Sequence, residues 1–373
     1  MSPKVPQKNC KLLRKIMSVA ALAVCGIGPA AFALENDEDH FQRFSALPIL
    51  GYSEETKLQY GAMALLFFKP NEPGGKVQEI DITAYGSTRK QFQFLMVPYF
   101  YLYHDRISGI VDFRYQNWVG SYFGMGNDVD FDKYIGFDRE RLHFSTELKS
   151  SIGLPRSFNY GVKVIAERSS TDFNDCTKDR CADMDLPDLH NGWRNGGGYI
   201  LSYDTRDNLN WTRSGFLVRW QQMFYSDWLG DYDFGVQDLD LRGYTPLFWN
   251  ISVATAALWQ RASGDVPFDM LSGPDGTKRF RGVESLFFRD NQSLILQAEL
   301  RKYLGWRLAG DIFFEGAKVG DHFGELLRNR WHQAVGFGGM LALNLKERLY
   351  ARGEISWVDY EKFGMTVYIR SAF

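Results

Sequence analysis

Beyond residue 33 the sequence has no apolar run of the roughly twenty residues that a helix needs to cross a bilayer. A helical membrane protein is therefore excluded. An excess of one charge is also missing. Lys and Arg number 43 against 45 Asp and Glu, a formal net charge of −2 that gives no electrostatic case for nucleic acid. Histidine is scarce, and no two of His40, His104, His143, His190, His322 and His332 have the spacing of a helical zinc site. Ser214 lies in Arg-Ser-Gly, which is not a nucleophile elbow. Gly196-Gly197-Gly198 opens a strand and does not follow one into a helix, so it reads as a bend or close approach and not as a phosphate loop. No low-complexity tract or linker divides the chain. No catalytic residue, metal site or cofactor is expected.

What is present begins with a basic start, Lys4, Lys8, Lys11, Arg14 and Lys15, followed by the apolar stretch from Ile16 to Gly28 and by Ala31-Phe32-Ala33. This is the pattern of a secretory signal peptide over residues 1–33, with the mature chain starting at Leu34. Cys25 is a poor lipidation site because Val24 precedes it. Setting this leader aside reduces four cysteines to two, Cys176 and Cys181, within CTKDRC. In an oxidising compartment a local disulfide closing a small loop is the natural reading. A metal pair would need further ligands than the nearest histidine, His190. The chain also carries 29 Phe, 19 Tyr and 10 Trp, an aromatic share of 16%, yet its mean hydropathy is negative. A membrane barrel explains both facts, with a polar lumen, an apolar outside and aromatic girdles at the two interfaces.

Strict alternation supports the barrel. Phe363, Met365, Val367, Ile369 and Phe373 fall on one side of an extended final strand, and Gly364, Thr366, Tyr368, Arg370 and Ala372 on the other. A last strand ending on an aromatic residue is a familiar feature of bacterial outer-membrane barrels. The same alternation recurs at Leu142 to Leu148, Val111 to Tyr115, Phe216 to Trp220, Leu294 to Leu300 and Leu349 to Trp357. Charged residues are too frequent on the second face for a dry sandwich core and suit a wet interior. Segments centred near Ile49, Ala64, Ile82, Val97, Phe113, Phe144, Val164, Leu201, Val218, Gln237, Val253, Leu296, Ile312, Gly338, Arg352 and Val367 make about sixteen strands, an even number as expected. The fold class is thus all-β, an antiparallel transmembrane β-barrel of the outer-membrane type. Short turns (Lys69–Lys76, Gly153–Ser157, Asp207–Ser214, Pro246–Asn250, Tyr303–Trp306) alternate with long loops (Asn117–Asp138, Ser169–Asn195, Arg261–Asn291, Lys318–Arg330). The short turns are assigned to the periplasm and the long loops to the outside. Residues 34–45 form a short periplasmic segment, and 46–373 one barrel domain. Asp128, Asp130, Asp132 and His190 then lie in outer loops, where acidic residues are mostly solvated or hold the cations that bridge lipopolysaccharide.

Three stretches carry a more specific resemblance. They are Tyr203-Asp204-Thr205-Arg206-Asp207-Asn208 with Thr212-Arg213-Ser214-Gly215, then Arg279-Phe280-Arg281-Gly282 with Arg289-Asp290-Asn291 and Ala298-Glu299-Leu300-Arg301, and lastly Asp311-Ile312-Phe313-Phe314-Glu315-Gly316-Ala317. In this order and spacing the chain resembles the barrel of the BamA/TamA family of outer-membrane assembly and translocation proteins, also called bacterial surface antigen proteins. Ala46–Phe68 resembles the family's first hairpin, and Tyr122-Phe123-Gly124-Met125-Gly126-Asn127 a motif of its third outer loop. The resemblance implies a long sixth outer loop folded back into the lumen. Its tip, Arg281-Gly282, would reach an acidic residue on the inner wall, here Glu315 in place of the family's Asp, with Ala317 in place of Gly. Val283 stands where the family usually has an aromatic. On the alternation, Arg307, Asp311, Phe313 and Glu315 share the lumen face, and a guanidinium can engage a carboxylate through two parallel hydrogen bonds.

The family mechanism implies a weak seam between the first and last strands, here Leu47–Tyr52 against Phe363–Phe373. Pro48 cannot donate a ladder hydrogen bond, and Gly51 adds to the weakness; Ile369 and Phe373 would face them. The family's periplasmic POTRA domains are missing, so a separate periplasmic partner would receive polypeptides. Outer-membrane lipid and lipopolysaccharide are the expected surroundings, and the cell's barrel-assembly machinery the expected route of assembly. Lumen charges of mixed sign, among them Arg114, Glu147, Arg219, Glu299, Arg301, Arg352, Glu354 and Arg370, suggest a braced and plugged lumen and not a selective pore. The expected function is insertion or export of polypeptides at the outer membrane. A passive channel or structural barrel is the alternative, and a surface enzyme a more remote one.

Overall fold

The computed structural model describes residues 43–53, 57–70, 73, 75–174, 191–283 and 286–373. The leader, residues 34–42, and Cys176, Cys181 and His190 lie outside the described residues. The strands are β1 (Phe44–Ser53), β2 (Lys57–Phe68), β3 (Gln78–Ser87), β4 (Phe92–Leu102), β5 (Ile107–Tyr122), β6 (Ile135–Ser150), β7 (Phe158–Phe173) and β8 (Gly192–Asp204). They continue as β9 (Gly215–Tyr225), β10 (Phe234–Pro246), β11 (Ile251–Gly264), β12 (Gln292–Gly305), β13 (Leu308–Gly320), β14 (His332–Asn344), β15 (Leu349–Val358) and β16 (Lys362–Ile369). All sixteen form one sheet in chain order, each paired antiparallel with the next. Every strand centre expected from the alternation falls inside one of them. The architecture is thus a sixteen-stranded antiparallel barrel sheet.

Alternation decides which side chains meet lipid. On β13, Ile312 and Phe314 are half exposed on the outside, whereas Asp311, Phe313 and Glu315 between them are buried on the inside. Charges survive inside because other charges from neighbouring strands meet them there. Strands β5, β6 and β7 run for 16 residues each, more than the roughly ten that cross a bilayer. The loop between β5 and β6 therefore shrinks to 123–134, shorter than the expected Asn117–Asp138. Beyond the lipid edge alternation is no longer enforced, but the backbone ladder continues, with Trp118 opposite Arg139 and Ser121 opposite Gly136.

The closing strand departs from expectation. β16 ends at Ile369, Arg370 takes a left-handed φ of 74°, and the chain turns inward. Phe373 is therefore not a lipid-facing residue of the seam. Its ring packs in the lumen with Tyr244, Ala254 and Ala256, and its main-chain oxygen accepts a hydrogen bond from Arg301 Nη2 at 3.2 Å. The small side chains of Ala254 and Ala256 leave the space, and the Arg301 guanidinium lies 5.4 Å from the ring centre.

Among the described residues no backbone ladder joins β16 to β1. Pro48 sits in β1 opposite Ala62, and Gly51 opposite Gln59. Side chains span the gap instead. Leu65 and Phe67 of β2 pack with Leu343 and Leu349, and Leu47 and Ile369 join the same cluster from the two sides. Arg370 reaches past β1 and β2 to β3, with Nη2 2.8 Å from Glu79 and Nη1 2.6 Å from Asp81.

Candidate functional site

The loop between β11 and β12, residues 265–291, folds into the lumen. Arg281 at its tip is fully buried. Its backbone N–H donates to Glu315 Oε2 at 2.6 Å and its Nε to Glu315 Oε1 at 2.7 Å. The two carboxylate oxygens thus divide between main chain and side chain, which differs from the parallel fork expected. This frees Nη1 to reach Glu299 at 3.1 Å and Glu354 at 3.0 Å, with Asp311 further off at 3.8 Å. The guanidinium carbon lies over Phe313, 3.5 Å from the ring centre, a desolvated cation–π contact.

The wall is built by register. Arg301 of β12 stands opposite Asp311 of β13, Asp311 opposite Gly338 of β14, and Gly338 opposite Glu354 of β15. A Cβ at Gly338 would lie 2.5 Å from Asp311 Oδ1, and one at Gly336 would lie 2.3 Å from the Phe313 ring. These two glycines make the room in which acid and ring sit. Sequence reading missed them, although their spacing of two on a lumen-facing strand was the available signal. Arg352 completes the set, with Nη2 2.6 Å from Glu299 and 2.9 Å from Glu354, and it also pairs with Asp311. Tyr368 of β16 donates to Glu354 at 2.8 Å. The carboxylates of Glu299, Asp311 and Glu354 are spaced as a cation site could be, but guanidinium nitrogens already stand between them. Arg281, Gly282, Glu315 and Asp311 are thus brought together, joined by Glu299, Arg301, Arg352 and Glu354. Arg307 is not among them; it lies in the turn before β13 and donates to the Ala342 carbonyl.

The same loop is held at two other places. Asp269 lies 3.1 Å from Arg139 of β6 and 2.8 Å from Arg194 of β8, and nothing in its local sequence marked it. Phe280, Val283, Phe287 and Phe288 pack with Phe123, Ile295, Ala317, Val319 and Val358, so the departures at Val283 and Ala317 both serve this core. The third outer loop caps it. Phe131 stacks on Phe287 at 4.0 Å, and Asn127 Oδ1 accepts the Val319 N–H at 2.9 Å.

At the outer rim a cleft of about 510 Å³ opens among Asp128, Phe131, Trp331 and Tyr360. Asp128 pairs with Arg330 at 2.9 Å, and Asp130 accepts the Asp132 N–H at 2.9 Å. Beside it Asp359, in the turn between β15 and β16, lies 2.6 Å from His332 and accepts the Gln333 N–H. Burial pushes the Asp359 carboxyl up, but the hydrogen bonds from His332 and Gln333 outweigh it and hold it below its ordinary range. A depressed folded value stabilises above the unfolded pKa and is lost as pH falls through the folded one. Limited proteolysis of the 123–134 loop is therefore expected to accelerate below about pH 4, and Asp359→Asn to flatten that dependence. A parent and variant with the same pH profile would refute the assignment.

A sequence model described as the Omp85 superfamily domain matches residues 74–317, well over half of the chain. The chain belongs to the Omp85 superfamily. Two solved Omp85-like barrels agree in fold. BamA from Haemophilus ducreyi lacking POTRA domains 1–3 is similar with a TM-score of 0.56 and 12% identity, over 95% of this chain and 78% of that one. CdiB from Acinetobacter baumannii is similar with a TM-score of 0.52 and 9% identity, over 87% of this chain and 59% of that one. No curated protein sequence matches it. Omp85 membership makes this an outer-membrane β-barrel of the BamA/TamA type, and the match includes both Arg281 and Glu315.

Proposed function

We propose that this Omp85 barrel assists insertion or export of polypeptides at the outer membrane. The observation that carries the reading is the seam. Fifteen strand junctions are backbone ladders, whereas among the described residues no ladder joins β16 to β1: Leu47 and Ile369 pack on one shared apolar cluster, and Arg370 reaches past β1 and β2 to β3. Side-chain contacts between preformed edges separate at far lower cost than a ladder, and the exposed edges can then pair with an incoming strand. A passive channel is disfavoured by the lumen, which the 265–291 loop fills and pins through Arg281 and Asp269. The work is mechanical, with no catalytic chemistry, and the proposed partners are lipopolysaccharide, the barrel-assembly machinery and a periplasmic protein that delivers polypeptide.

The test is reconstitution. Liposomes bearing the barrel are expected to speed folding of a urea-unfolded outer-membrane protein several-fold over liposomes bearing an unrelated barrel. Equal rates would sink the reading and favour a structural role or a channel, which large steady conductance would identify. Native pull-down from detergent-solubilised outer membrane then asks whether a stoichiometric periplasmic partner accompanies it.

A further inference from the structure

The connection between β8 and β9, residues 205–214, is not the plain turn its length suggests. It is braced from within. Asp207 Oδ1 accepts the N–H groups of Arg213 at 2.8 Å and Ser214 at 3.1 Å. Asn208 Oδ1 accepts those of Asn210 and Trp211, each at 2.8 Å, and the Thr212 hydroxyl donates to the Asn208 carbonyl at 2.7 Å. A turn made this rigid presents its remaining side chains in fixed directions.

Those side chains reach across the barrel. β8 and β9 stand midway along the sixteen-stranded ladder, so β13 to β16 lie on the far side. Trp211 is nevertheless 5% exposed and packs with Ala309, Met340, Ala342 and Tyr350 of that far wall, its ring 4.4 Å from that of Tyr350. Arg348 lies 2.5 Å from Asp207. Asn210 Nδ2 donates to the Glu347 carbonyl at 2.9 Å, and its Oδ1 accepts from Arg370 Nε at 3.0 Å. Arg370 is the residue that clasps Glu79 and Asp81 across the seam.

We propose that the 205–214 connection is a strap that closes the periplasmic mouth of the lumen and, through Asn210, holds the seam clasp, so that mouth and seam open together. Trp211 anchors the strap. Asn210 transmits its position, because a guanidinium held at Nε by Asn210 is aimed with both Nη groups towards β3. The strap would act in the same way whether the barrel handles polypeptide or conducts solute.

The test uses the full chain in lipid, with its native cysteines replaced by serine and Leu65→Cys as reporter. Leu65 is 1% exposed in the apolar cluster that joins β2 to β14 and β15 across the seam, so a small aqueous thiol reagent reaches it only when that cluster comes apart. Asn210→Ala removes hydrogen bonds and no buried ring. It is expected to raise both the labelling rate and the frequency of open events in planar bilayers about tenfold, the scale of one hydrogen bond to a charged group. Trp211→Ala is expected to raise both further. If Trp211→Ala does not fold, Arg348→Gln replaces it. Conductance and labelling that move separately would overturn the coupling, and variants that match the parent in both would overturn the strap.

Discussion

Replacing Arg281 with alanine is expected to undock the 265–291 loop and to destabilise the barrel by about 3–5 kcal/mol, the range for leaving buried charge without its partner. The mutation removes the cation at the centre of Glu299, Asp311, Glu315 and Glu354. Arg301 and Arg352 remain, but both work on Glu299 and its neighbours, and Glu315 would lose its charged partner, keeping Gln297 Nε2 at 2.8 Å and, only while the tip stays docked, the backbone N–H of residue 281. The acids would then repel one another in a site that excludes water. Arg281→Lys keeps the charge but has one nitrogen where the guanidinium uses Nε and Nη1 in different directions, so an intermediate loss is expected. Loss of the folded form on heating, read by electrophoretic mobility, measures the first effect, and planar-bilayer conductance the second, since an undocked loop unblocks the lumen. An alanine variant that melts with the parent would show that the loop is held by its aromatic core and not by this charge.

Gly282→Ala should be nearly as damaging although it leaves every charge in place. Gly282 has a φ of +94°, a conformation that a residue with a side chain pays about 1–3 kcal/mol to adopt. A Cβ there would also lie 1.9 Å from Ser356 Oγ. Gly364 of β16 lies against the same backbone, since a Cβ on it would come within 2.4 Å of the Gly282 Cα. The loop tip therefore packs backbone to backbone on the strand that forms one side of the seam. Ser356→Gly should rescue part of the loss by clearing the space while leaving the φ strain. Absence of any rescue would refute the steric account. Arg281→Ala combined with Gly282→Ala should cost less than the sum of the two, because each releases the same docked loop.

Much of this was legible in the chain itself. Alternation with a period of two is a local property, so Ile312 and Phe314 could be placed outside and Asp311, Phe313 and Glu315 inside without coordinates. The number of strands and the pairing of Arg281 with Glu315 follow from pattern and family resemblance, whereas the alternation of short and long connections holds only in part, since β15 and β16 are joined by just residues 359–361. Alternation names a face, however, and is silent on which residue stands across the lumen. Glu354 meets Arg281 from 73 residues away, and Arg370 meets Asp81 across 289. The same silence hid Asp269 on Arg139 and Arg194, and Trp211 on the far wall, since an acid or an indole in a loop looks the same whether solvated or docked. It also misplaced Phe373, whose position in the alternating row pointed to lipid. A single left-handed residue at Arg370 turned it into the lumen, where a cation and two alanines had space for it. Local sequence thus specified the strands and their faces, because backbone pairing and side-chain alternation are short-range. Curling of the sixteen-stranded sheet into a barrel specified the site, because it alone brings charges and rings from opposite walls into one dry space where each must find a partner.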